Sequence, residues 1–149
     1  MNRVNKRELI LSTIKSFEEL IIWQEARKFA NNIYKLTKKF PKEELYGLTS
    51  QMRRAAVSVT SNIAEGFHRR TTKEFISFLI IARASVSEVQ NDLYISLDLN
   101  YINTENFQTN YDYAQKIGKL INGLITYLKS QTESYTKTTK INEQIQQYL

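Results

Sequence analysis

Glu65 and His68 stand as Glu-x-x-His, the spacing at which one helix can turn a carboxylate and an imidazole toward a single metal ion. Di-iron helical bundles use that unit twice. This chain contains one His, so a protomer cannot supply the second unit, and Gly66 interrupts the first. No metal site and no cofactor are expected. Nucleophilic chemistry has no better footing. The absence of Cys excludes thiolate catalysis, Cys-based zinc sites and a disulfide framework. There is no glycine-rich phosphate loop following a strand, and no Ser–His pair with an orienting acid. No catalytic residue is expected, and the chain reads as non-enzymatic.

Two other constellations remain. Gln51, Arg54, Ser58, Asn62 and Glu65 recur at helical steps, a face of small hydroxyl and amide groups with one opposed charge pair. Such a polar seam suits close, hydrogen-bonded contact with another helix or chain. Arg54 and Glu65 are about three helical turns apart, so each should find its partner across subunits or on the following helix, because a buried charge left alone is costly. Asn62 is a second candidate donor to Glu65. The other constellation is basic: Arg53, Arg69, Arg70 and Lys73 are the candidate phosphate contacts. Tyr94, Tyr101, Tyr111, Tyr113 and Tyr127 could stack on bases if exposed. With no helix-turn-helix or other base-reading signature, binding to RNA or DNA should run through phosphates and show little sequence preference.

The elements that hold these residues should be long. One Pro and four Gly in 149 residues leave room for few turns. A first helix is predicted from Ser16, with Ser16 and Glu19 as a capping box, to the Phe40-Pro41 stop. Its inward positions are Leu20, Trp23, Ala26, Ala30, Ile33 and Tyr34. A second helix is predicted over 43–65, with Gly66 as its stop. Its apolar stripe is Leu48, Met52, Ala55, Val59 and Ile63, one helical face. A third opens at Thr71 with Glu74 as its capping partner and ends at Asn100. The fourth starts at Thr104 and carries Ala114, Ile117, Ile121, Leu124 and Leu128 in a heptad-like seam. Four helices with short connections predict an all-α, up-down-up-down antiparallel four-helix bundle over 16–130.

The flanks differ in composition. Residues 1–15 form a basic N-terminal arm with Arg3, Lys6, Arg7 and Lys15 against Glu8, net +3 of the chain's +6. Residues 131–149 form a polar C-terminal tail, expected to be mobile, with isolated Ile141, Ile145 and Leu149. No run of about 18 apolar residues could span a bilayer, so no membrane association and a cytoplasmic location are expected. Phe17, Trp23, Phe29, Phe67, Phe75 and Phe78 supply more apolar surface than one bundle needs, which fits a subunit interface or a partner groove.

Three segments carry a resemblance: FEELIIWQEA (17–26), FPKEELYGLTSQMRRAAVSVTSNIAEGFHRRTTKEF (40–75) and FLIIARASVSEVQNDLYISLDLNYI (78–102). They resemble the bacterial four-helix-bundle family that includes proteins encoded by intervening sequences of 23S rRNA genes. That family is similar to the accessory variability determinant (Avd) of diversity-generating retroelements. Trp23, Gly47, Leu48, Gln51, Arg53, Arg54, Ala55, Ser58, Asn62, Ile63, Ala64, Glu65, Gly66, Phe67 and Arg69 match its pattern. Departures are Thr60 in place of a usual Pro, His68 in place of Gly or another small residue, and Ala84 in place of Gly after Arg83. The last should crowd a close helix contact. The resemblance implies a homopentameric ring and a nucleic-acid or ribonucleoprotein role, with no family-wide enzymatic activity. Five copies at +6 each would carry about +30, enough to attract a polyanion. The competing expectation is a structural or adaptor oligomer whose partner is another protein, for example a reverse transcriptase, with no direct nucleic-acid binding.

Overall fold

A computed structural model describes residues 13–146, with side chains described through Ser134. The arm residues Arg3, Lys6 and Arg7, and the side chains of Ile141, Ile145 and Leu149, lie outside the described residues. Four long helices follow one another: α1 (Ile21–Thr37), α2 (Leu48–Phe67), α3 (Thr72–Asp98) and α4 (Thr104–Gln146). Short 3-10 turns at Phe17–Glu19 and Lys42–Glu44 precede α1 and α2, and the described residues contain no strand.

The helices surround one core. Phe29 and Ile33 of α1, Met52, Val59 and Ile63 of α2, Leu79, Val86 and Leu93 of α3, and Ile117 and Ile121 of α4 are fully buried. At about 25 cal/mol per Å² of apolar surface, such side chains each contribute roughly 1.5–3 kcal/mol on burial. The pairing order is read from cross-helix contacts. Along α2 and α3, Gln51 meets Asp92, Ser58 meets Ser85, and Gly66 lies against Phe75 and Phe78. Along α1 and α2, Phe17, just ahead of α1, meets His68, just past the end of α2, while Thr37 meets Arg53. Tyr94 of α3 packs on Phe107 and Tyr111 of α4, and Phe29 of α1 packs on Tyr113 of α4.

The predicted second-helix stripe is buried throughout, as are all the fourth-helix seam positions except the partly buried Leu124. Other local expectations are corrected. Ser16 caps only the 3-10 turn and makes no side-chain cap bond; Glu19 instead accepts from the Lys15 backbone N–H at 3.3 Å. The chain turns extended at Leu20 (φ −70°, ψ 121°), so α1 begins at Ile21, and Leu20 is buried under the helix start. Tyr34 is exposed rather than inward. Gly66 does not stop α2, which continues to Phe67. No glycine has a positive φ; Gly66 is required for close approach, because a Cβ there would stand 2.7 Å from Phe78 Cβ.

The capping box at the start of α3 forms as predicted. Thr71 Oγ1 accepts from the Glu74 backbone N–H at 3.2 Å, and the Glu74 carboxylate accepts from the Thr71 N–H at 3.1 Å. Asn100 takes a left-handed φ of 58° after α3, a conformation Asn tolerates. Ala84 is exposed on α3. Beyond residue 130 the backbone stays helical to Gln146; no Gly or Pro occurs after Gly123 to interrupt it.

Candidate nucleic-acid interface and polar seam

The polar seam of α2 is tied to α3 by a relay of side chains. Asn62 Nδ2 donates to Ser58 Oγ at 3.0 Å and to the Ser58 carbonyl at 2.8 Å. Ser58 Oγ and Ser85 Oγ are 2.9 Å apart, and Ser85 Oγ donates to the Ile81 carbonyl at 3.1 Å. Ser85 has one hydroxyl proton and spends it there, so Ser58 is the donor between the two. One end of the seam is Gln51, whose Nε2 donates to Asp92 Oδ1 at 3.1 Å. The other end is Glu65, which pairs with Arg69 in the turn that follows α2. Glu65 therefore does not take its partner from Arg54 or Asn62 within the chain.

Asp92 was missed from the sequence. It is fully buried on α3, its Oδ1 also accepts from Asn91 Nδ2 at 3.2 Å, and its Oδ2 has no hydrogen-bond partner among the described residues. Desolvation pushes its carboxyl above the usual carboxylate range, with nearby Glu88 adding to the shift. The spacing of Asp92, three residues after Val89 and four before Ser96 on the buried side of α3, was the signal available.

Arg54 stands apart from the relay. It lines an open groove of about 590 Å³ between α2 and α3, together with Tyr46, Ser50, Gln51, Ser58 and Glu88. Neither Arg54 nor Glu88 takes part in an ion pair among the described residues. Next to this groove lies a surface the sequence reading overlooked. Ile80, Ile81, Tyr94 and Ile95 of α3 and its cap Leu99 are 40–53 % exposed, and Ile81, Glu88 and Ile95 repeat at a seven-residue period on the outer side of α3. The signal was the unbroken run Phe78-Leu79-Ile80-Ile81, which no single helical stripe can absorb. The expected apolar surplus is located elsewhere: Phe29 and Phe75 are buried, while Phe17, Trp23 and Phe67 pack partly buried on the protomer's own core.

The four candidate phosphate contacts do not form one patch. Arg53 is half-buried between α1 and α2, where its Nε donates to Thr37 Oγ1 at 2.8 Å and its guanidinium lies 4.8 Å over the Tyr34 ring. It is about 21 Å along α2 from Phe67 at 1.5 Å per residue, and Arg69 lies beyond that end of the helix. Arg69, Arg70 and Lys73 do gather, around the α2–α3 turn, and all are exposed. Arg69 is held by Glu65 and by the Phe78 ring at 4.6 Å; Arg70 and Lys73 form no ion pair among the described residues. The tyrosines are mostly engaged: Tyr101 donates to Glu44 at 3.1 Å, Tyr113 to Glu25 at 3.2 Å, and Tyr94 clusters with Phe107 and Tyr111. His68 carries no metal-site company, for no group of three His, Asp or Glu side chains able to hold a metal occurs among the described residues. No described helix is long and apolar enough to cross a membrane.

An all-helical chain of four packed helices, with a Gln-x-x-Arg-Ala…Asn-Ile-Ala-Glu-Gly second helix, defines the class. Residues 18–123 match the family described as 23S rRNA-intervening sequence protein, and the chain belongs to that family. A crystal structure of a protein of unknown function from the S23 ribosomal protein family of Bacteroides thetaiotaomicron VPI-5482 is similar in fold. It is 23 % identical, with a TM-score of 0.64, over 70 % of this chain and 98 % of that one. None of the curated proteins matches this chain.

Proposed function

We propose that this chain is a non-enzymatic assembly subunit: an up-down-up-down bundle that self-associates, as a homopentameric ring, and holds RNA or DNA through phosphate contacts. The observation that carries the reading is the outer face of α3. Large apolar side chains on the solvent side of a helix as well as on its core side favour burial on both, and Ile80, Ile81 and Ile95 on α3, with Leu99 just past its end, stand half-exposed. Arg54 and Glu88 beside it, in no ion pair among the described residues, suit a contact between copies, where a basic group of one protomer can meet an acidic group of the next. Assembly repeats the Arg69–Arg70–Lys73 turn around one axis, and five copies at +6 give about +30, a field that concentrates a polyanion.

Sedimentation of the native chain beside an Ile81→Glu/Ile95→Lys variant tests the assembly. The native protein should sediment as a pentamer and the variant as a monomer of unchanged helicity. A native protein that is monomeric at all concentrations would overturn this reading and leave α3's outer face to a different protein. Binding of a structured RNA and a duplex DNA across a salt series tests the second part, with affinity falling steeply as salt rises. Arg69→Glu with Arg70→Glu should remove that binding.

A further inference from the structure

The α2–α3 turn brings rings and cations together at one end of the bundle. His68 caps α2 and sits between two phenyl rings, with Phe17 at 5.8 Å and Phe67 at 5.5 Å, both nearly perpendicular to it. Phe17 in turn touches Trp23 at 5.0 Å. Guanidinium groups interleave: Arg27 lies 5.6 Å over Trp23, and Arg69 lies over Phe78. His68 is exposed, and its ring nitrogens make no hydrogen bond among the described residues. Two residues further on, Arg70 is exposed and in no ion pair among the described residues, as is Lys73 on the first turn of α3. Phe17 lies at this same end, and in the sequence it follows a stretch of net charge +3 over residues 1–15.

We infer that this end is a stacking platform for single-stranded nucleic acid, with His68 receiving a base and Arg70 and Lys73 receiving the adjoining phosphates. The inference rests on the phosphate-binding reading above and narrows it to one class of partner. Physical reasons favour a single strand. A duplex hides its base faces inside the stack, so an exposed ring on a helix end gains nothing from it. A duplex also carries the higher charge density, so binding through phosphates alone would favour duplex over single strand. Stacking, worth about 1–3 kcal/mol per base, reverses that order. The platform is a property of this chain's own sequence, because His68 stands where the resemblance has a small residue.

The test uses the full chain and two fluorescein-labelled probes: an unstructured RNA of about 15 nucleotides, within the span of known single-strand sites, and the duplex it forms with its complement. Anisotropy gives affinity at about 50 mM salt, and emission of Trp23, the only Trp in the chain, reports on the ring cluster. The single strand should bind tighter than the duplex and change Trp23 emission, while the duplex leaves emission unchanged. His68→Ala, an exposed change that spares the core, should weaken the single strand about tenfold and leave duplex affinity alone. Duplex binding equal to or tighter than single-strand binding, with His68→Ala silent on both, would overturn the platform and leave the phosphate reading standing. Loss of affinity for both probes alike in His68→Ala would also overturn it, and absence of binding to either probe would overturn both readings.

Discussion

Gln51 donates its side-chain amide to Asp92 across the α2–α3 contact at 3.1 Å, and the second oxygen of that buried carboxylate has no partner among the described residues. A buried charge with one oxygen unsatisfied is costly, by about 1–3 kcal/mol or more, so the site favours the protonated form, consistent with the upward shift from desolvation. An unfolded Asp titrates near ~3.9. The folded protein therefore holds its proton to higher pH, and the stability present below the unfolded value is lost as pH rises through the folded one. Asp92→Asn keeps the shape and removes the titration. Urea unfolding from pH 4 to 8 should show the variant gaining on the native chain with rising pH, by about 1–2 kcal/mol at the top. Parallel curves would mean that Asp92 is solvated or paired in solution.

Glu25 behaves in the opposite sense. Lys116 Nζ at 2.7 Å and Lys28 Nζ at 3.0 Å donate to its carboxylate, joined by the Tyr113 hydroxyl. Led by Lys116, these hold its pKa down at about 2, while burial and Glu25 push the Tyr113 phenol up to about 12. An unfolded Glu titrates near ~4.3, so this cluster's contribution is complete above that value and is lost as pH falls toward 2. Glu25→Gln should lower the melting temperature at pH 7 and flatten its decline between pH 4.5 and 2. A decline as steep as the native one would assign the acid sensitivity to other carboxylates.

Much of the bundle was legible because its signals are local or periodic. The Leu48–Ile63 stripe and the Thr71/Glu74 capping box depend on spacing alone, and both are realised. Ser16 and Glu19 have the same spacing as Thr71 and Glu74, yet the need to bury Leu20 breaks the helix before the box can close. Gly66 was read as a terminator, whereas its role is set by Phe75 and Phe78 arriving from the next helix, and no pattern within α2 reveals that. Arg53 shows the same limit for the site. Its neighbour in sequence is Arg54, but its neighbours in space are Tyr34 and Thr37 of α1.

The close approach at Gly66 sets the next expectation. Ala is the better helix former by about 1 kcal/mol, but its Cβ would fall 2.7 Å from Phe78 Cβ and 2.8 Å from Phe75 Cδ2. The Phe75 ring can swing; a Cβ fixed to the α3 backbone cannot. Overpacking of this kind costs about 1–3 kcal/mol, so Gly66→Ala should be destabilising on balance, by about 1 kcal/mol. Thermal unfolding measures it, and a variant at least as stable as the native chain would show that α3 yields at its first turns.

Glu65 and Arg69 give the sharpest test of the basic turn. Both are exposed, and they pair across the C-terminal end of α2, Glu65 on its last turn and Arg69 just beyond it. An exposed pair contributes roughly 0–1 kcal/mol, so the fold does not depend on it. The pair does matter to a polyanion. A phosphate approaching Arg69 must compete with the Glu65 carboxylate and then sit beside its charge. Glu65→Gln removes both obstacles while keeping the side chain's shape. The variant should hold its helicity, bind RNA more tightly, and steepen the dependence of log affinity on log salt by about one unit, the increment expected for one added phosphate contact. Adding Arg69→Gln should cancel the gain. If Glu65→Gln leaves affinity and salt dependence unchanged, Arg69 is a structural cation held by Glu65 and the Phe78 ring, and the phosphates are met by Arg70 and Lys73 alone.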